Sequence, residues 1–151
     1  SESGNTENQT IADSSNSSSS STSTTIQATT TAEQIPSDIK DMIAKADTYF
    51  NNGQYADAVS AYRSIKPVVE KNADISDSLK QEIINSYFKN FESSKTITET
   101  ARMHFGNAMQ LEYEKRIDEA IKELEAAIKI YPEYQDAIDK LDSIKSLYKL
   151  K

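Results

Sequence analysis

Apolar residues recur at helical spacing along residues 37–151. Between Ile117 and Ile128 they return every three or four positions, which places them on one face of a helix. The same periodicity predicts about six helices, near residues 37–51, 54–67, 77–92, 97–114, 117–130 and from 132 onward. The sequence therefore predicts an all-α fold.

Local signals set the expected helix ends. Ser37 follows a proline and is predicted to be the N-cap of the first helix. Pro67 is expected to kink or end the second helix, because proline removes a helical hydrogen bond. Ser93 to Thr96 is polar and interrupts the apolar pattern, and Thr96 to Glu99 has the form of a capping box, so a new helix is expected to begin there. Pro132 is expected in the first turn of the last helix.

Two segments, residues 39–72 and 101–134, share the spacing of their small and large apolar residues. Ala46, Tyr49, Ala58 and Tyr62 of the first segment stand 62 positions before Ala108, Leu111, Ala120 and Leu124 of the second. Gly53 and Tyr55 in the first, and Ala127 and Pro132 in the second, complete a helix–turn–helix spacing. Both segments resemble the tetratricopeptide repeat, a helix–turn–helix unit whose small residues let two helices approach closely. The second departs from the repeat at His104, at Asn107 and at Lys115-Arg116, which replaces a turn containing glycine.

The resemblance implies a right-handed α-α superhelix in which a last helix covers the final repeat. The two segments begin 62 residues apart, from 39 to 101, so the middle of the array is expected to be irregular. Two arrangements are open. Either the helix at 77–92 is unpaired and the second segment lies inverted, or six helices form three successive hairpins.

In tetratricopeptide proteins the first helix of each repeat lines a groove that holds a peptide or a partner's helix. The resemblance assigns ten residues to such a groove here: Lys40, Ile43, Asp47, Phe50, Asn51, Arg102, Phe105, Met109, Glu112 and Tyr113. Ile43, Phe50 and Phe105 are equally compatible with core packing. Asp47 and Met109 stand where repeats that bind chaperone tails carry Asn, so that ligand is not expected.

Composition excludes several classes of function. The net charge of −7 argues against nucleic acid and against anionic membrane surfaces as partners. Without cysteine there is no disulfide, thiolate metal site or cysteine nucleophile. The single histidine, His104, has no second imidazole or nucleophile at a useful spacing. We expect no catalysis, no metal and no cofactor.

Residues 1–36 are expected to form a disordered linker before a helical domain at 37–151. Ser1 to Ala32 contains 18 Ser or Thr and no Lys or Arg, too little apolar area to offset the entropy of ordering. Spacers of this kind often follow a membrane or lipid anchor in exported proteins. We therefore expect the extracytoplasmic part of an anchored bacterial protein, with the anchor outside this sequence. A cytoplasmic location is the alternative.

Together these observations favour a scaffold or adaptor that binds a protein or peptide partner. One alternative is a self-association module that forms a homo-oligomer without a separate ligand. Another is a cell-wall or carbohydrate-binding domain, which would need an exposed aromatic platform. The tyrosines available for such a platform, Tyr113, Tyr131, Tyr134 and Tyr148, are mostly explained as packing residues.

Overall fold

The computed structural model describes residues 34–149. Within that range the chain forms helices and no strand, which confirms the all-α prediction. The helices are α1 (Ser37–Asn51), α2 (Tyr55–Arg63), α3 (Ile65–Lys71), α4 (Asp77–Tyr113), α5 (Ile117–Ile130) and α6 (Gln135–Leu147). The predicted disordered linker lies outside the described residues except for 34–36, of which Ile35 packs against the core.

Helix α4 is continuous over 37 residues, about 55 Å at 1.5 Å per residue. The predicted break at Ser93 to Thr96 is wrong. Ser94 and Thr98 are buried, and their hydroxyls donate to carbonyls of the preceding turn. The Ser94 hydroxyl lies 2.8 Å from the Asn90 carbonyl oxygen, and that of Thr98 lies 3.0 Å from the Ser94 carbonyl oxygen. The helix thus satisfies its own buried polar groups and needs no interruption.

The continuity of α4 determines how the helices pair. Its N-terminal half runs antiparallel to α2 and α3: the Lys80 ammonium donates to the Glu70 carbonyl, and the ring of Tyr87 stacks on that of Tyr62. Because α4 then continues past α2 without reversing, it runs in the direction of α1, and α5 in the direction of α2. Both predicted arrangements are therefore wrong: residues 77–114 form no hairpin, and the second segment is not inverted.

The two hairpin turns have the same backbone conformation. Gly53 has φ 76° and Lys115 has φ 68°, both in the left-handed region. The N–H of Gly53 donates to the Phe50 carbonyl, and the next N–H reaches five residues back. Lys115 and its successor repeat this pattern after α4. Both helices therefore end in a Schellman motif, although Lys115 carries the Cβ that disfavours this region.

Two apolar clusters form the core, and α4 contributes to both. The first contains Ile39, Ala46, Ala58, Tyr62, Ile65, Val69, Leu79, Ile83 and Tyr87. The second contains Ala101, Ala108, Ala120, Leu124, Ala127, Tyr131, Ala137 and Ile144. The alanines in both clusters are fully buried, which confirms their predicted packing role.

A chain of ring contacts connects the two clusters. Neighbouring ring centroids lie 5.2–5.6 Å apart along Phe50, Tyr55, Tyr131, Tyr134 and Phe105. Edge and stacked contacts at this separation stabilise beyond their buried area. The turn between α5 and α6 is thereby attached to α1 and α2.

Apart from the missing break in α4, helix ends agree with the sequence to within a few residues. The interruption expected near Pro67 falls at Ser64, and Pro67 lies in the first turn of α3, where no N–H donor is required. Pro36, not Ser37, occupies the N-cap of α1. Pro132 lies in the turn before α6, which begins at Gln135.

Candidate functional site

The expected groove residues of α1 are largely used in packing. Ile43 and Phe50 pack against the first cluster, and the Asp47 carboxylate accepts a hydrogen bond from the Tyr62 hydroxyl. Lys40 and Asn51 are exposed. Of the five groove residues expected on α1, only Lys40 and Asn51 are therefore exposed.

The expected groove residues of the second segment are divided in the same way. The Phe105 ring packs 5.6 Å from that of Tyr134, and a Glu112 carboxylate oxygen lies 3.0 Å from the Lys140 ammonium of α6. The other three are the exposed Arg102, the half-buried Met109 and the highly exposed Tyr113. Phe50 and Phe105 are the two ends of the ring chain that joins the clusters, which gives them a structural role.

The structure places a different apolar site between the α2–α3 junction and the N-terminal half of α4. A cavity of about 310 Å³ opens there. We call it the aromatic groove, and it is lined by Tyr62, Arg63, Lys66, Ile84, Tyr87, Phe88 and Phe91.

The floor of the aromatic groove consists of stacked, uncharged rings. Tyr62 and Tyr87 are buried and stack with centroids 5.6 Å apart and planes within 5°. The Phe91 ring lies 5.9 Å from that of Tyr62. Burial raises the pKa of Tyr62, and the nearby Asp47 carboxylate raises it further. Burial also raises the pKa of Tyr87, so both rings stay neutral at physiological pH.

The rim of the aromatic groove is basic. Arg63 and Lys66 are both exposed, and Lys66 has only a distant pairing with Glu70, at 3.9 Å between two largely exposed side chains. Such exposed pairs contribute little. The Lys95 ammonium lies 5.1 Å above the Phe91 ring and pairs with Glu92. The residues that line the groove thus carry two positive charges and no negative one, in a chain whose net charge is −7.

Phe88 stands at the mouth of the groove with 54 % of its surface exposed. The apolar residues of this segment recur at helical spacing and predict one core-facing stripe: Leu79, Ile83, Ile84, Tyr87, Phe88 and Phe91. For Phe88 this prediction is wrong. The missed signal is the pair Tyr87-Phe88. Adjacent helical residues point about 100° apart, and here the helices that bury Tyr87 leave Phe88 exposed.

His104 links α4 to α5 through a 2.5 Å contact between its Nδ1 and a carboxylate oxygen of Glu123. This contact ties two packed helices together at a partly exposed position. Across residues 34–149 no group of three or more His, Asp or Glu side chains is arranged to hold a metal ion.

None of the six described helices combines the length and hydropathy needed to cross a bilayer. No protein-family model, curated protein or solved structure matches this chain. Membership of the tetratricopeptide family stays a prediction.

Proposed function

We propose that this chain is a protein-binding module whose aromatic groove receives an apolar segment of another protein. The observation that carries the proposal is the exposure of Phe88, 54 %, beside a preformed apolar cavity of about 310 Å³. A large aromatic side chain next to a cavity with a few polar groups at its edge is typical of binding surfaces.

Phe88 contributes little to the stability of the hydrophobic core. The stacked Tyr62 and Tyr87 bury each other, and Phe88 belongs to neither core cluster. The exposed surface of a phenylalanine contributes no hydrophobic free energy until it is covered. A partner segment that covered Phe88 would recover that free energy, which makes this residue the natural anchor of an interface.

The proposed module has a tetratricopeptide-like architecture, but its binding surface differs from the groove used in that family. The matching Schellman turns at Gly53 and Lys115 and the fully buried alanines of both hairpins support the architecture. In the family the groove lies on the first helices of the repeats. Here the open apolar surface is formed by α2, α3 and the N-terminal half of α4, because α4 extends well beyond the length of one repeat helix.

The test compares two alanine variants of the full chain. Phe88 and Met103 both lie on α4 and are both 54 % exposed, but Met103 is outside the aromatic groove. A displayed random-peptide library is selected on the wild-type chain. We expect the enriched peptides to bind Met103→Ala as they bind wild type, and to bind Phe88→Ala at least about tenfold more weakly, as at an interface hot spot. Equal binding to both variants would refute the proposal.

We also propose that the module acts outside the cytoplasm, displayed by an anchor elsewhere in its natural precursor. The support is the Ser/Thr-rich composition of Ser1 to Ala32, which holds no Lys or Arg. Protease treatment of intact cells that express the natural gene tests the location. Cleavage before lysis is expected, with a cytoplasmic marker left intact. Protection until lysis would place the module inside.

A further inference from the structure

We infer that the occupant of the aromatic groove is an acidic amphipathic segment of a partner protein. The inference rests on the proposed function and adds the chemistry of the partner. It draws on two observations: which charges line the groove, and how its apolar residues are spaced.

The charges that line the groove are both positive. Arg63 and Lys66 lie one helical turn apart at its rim, and no carboxylate is among the lining residues. None of the ion pairs formed within residues 34–149 involves Arg63. The single pairing of Lys66 is long and solvent-exposed. Both cations can therefore bind a partner's carboxylates without first breaking a strong interaction.

The apolar wall has the spacing that a helix can match. Ile84, Phe88 and Phe91 stand at i, i+4 and i+7 on α4, a stripe about 10 Å long. A partner helix with apolar residues at the same spacing would lay two or three anchors along it. Its glutamates or aspartates one turn away would then face Arg63 and Lys66.

The charges of the groove lining favour an acidic occupant, although the chain as a whole is negatively charged. The net charge of −7 repels acidic partners at long range, but the screening length is about 8 Å at physiological ionic strength. Of the residues that line the groove only Arg63 and Lys66 are charged, whereas the nearby carboxylates of Asp47 and Glu70 lie outside its lining. A basic segment would meet like charges at both positions, which opposes binding.

The experiment uses the peptides selected on the full chain and their synthetic variants. We expect the peptides that require Phe88 to carry an excess of Asp and Glu beside apolar anchors. Replacing those acids by Gln or Asn in the tightest-binding peptide should weaken its binding about tenfold. Raising the salt concentration should reduce the difference in affinity between the acidic peptide and its amide variant.

Charge reversal in the protein provides the matched control. R63E/K66E should weaken the acidic peptide about tenfold or more and should restore binding of a version with its acids changed to Lys. K122E/K129E changes the net charge by the same amount on the exposed surface of α5, away from the groove. This control should leave the affinity within about twofold.

The outcomes separate the inference from the function on which it rests. If peptides need Phe88 but are neutral or basic, or ignore R63E/K66E, the acidic partner is wrong and the binding groove stands. If no peptide needs Phe88, both fail.

A peptide of residues 1–33 that competes with the acidic peptide would make the chain's own N-terminal segment the occupant. A dimer that Phe88→Ala dissociates would make it a second copy. Either result overturns the inference.

Discussion

The hydroxyl of Tyr62 joins two helices, and its removal should be measurable. Tyr62 lies fully buried on α2 and donates to the Asp47 carboxylate of α1. Tyr62→Phe deletes this hydrogen bond and keeps the ring stacked on Tyr87. We expect it to lower the free energy of unfolding by about 1.5–2 kcal/mol.

The magnitude follows from the acceptor and its surroundings. A hydrogen bond to a charged group contributes about 1.5–3 kcal/mol, against about 1 kcal/mol for a neutral pair. Asp47 is only half-buried, so water can rehydrate its carboxylate, which favours the lower part of that range. The ring of Tyr62 stays in place, so the cavity cost of about 3–5 kcal/mol that accompanies loss of a buried aromatic does not arise.

Urea denaturation followed by circular dichroism checks this prediction, with Tyr49→Phe as the control. Tyr49 is half-buried, and its hydroxyl makes no hydrogen bond within residues 34–149. Its variant should unfold with the wild-type midpoint, whereas Tyr62→Phe should show a lower midpoint at an unchanged slope. Equal losses in the two variants would mean that the hydroxyl of Tyr62 has no special role.

Three further predictions concern the tyrosines, the second turn and the continuity of α4. Burial raises the pKa of Tyr62, Tyr87 and Tyr134, so the native state keeps protons that the unfolded chain releases above about pH 10. The free energy of unfolding should therefore fall as the pH rises beyond 10 in a urea titration series, and a flat profile would contradict this. Lys115→Gly should raise the free energy of unfolding by about 0.5–1 kcal/mol, because glycine adopts φ 68° without strain; an unchanged thermal midpoint would argue against it. Thr96→Pro should cost about 3 kcal/mol or more and Thr96→Ala almost nothing; a proline tolerated at this exposed position would mean that α4 is interrupted there.

The local part of the fold could be read from the sequence. The predicted bounds of α5, 117–130, coincide with the observed Ile117–Ile130, and its buried residues are the expected alanines and Leu124. Helical periodicity is a property of neighbouring residues, so it identifies a face without reference to the partner that covers it. The turn at Lys115 was less evident because the residue type disfavours the conformation that packing imposes.

The continuity of α4 could not be read in this way. Ser94 and Thr98 have the side chains that cap helices, and the same hydroxyls can bond back to their own helix when buried. Which role applies depends on whether another helix packs against them. Thr98 and Val59 line the same cleft between α4 and α2, although they are 39 positions apart in the sequence. Small polar residues permit that close approach, and no local pattern reveals it.

The unpredicted helix and the unpredicted groove have the same origin. Because α4 continues without a break, its N-terminal half lies against α2 and α3, where Tyr87 covers Tyr62. The apolar face there includes both Tyr87 and Phe88, about 100° apart, and the helices that bury Tyr87 leave Phe88 exposed. An interruption at Ser93 would free residues 77–92 to turn that face towards other helices, as the predicted hairpin required. Continuity prevents this and leaves Phe88 exposed beside Arg63 and Lys66.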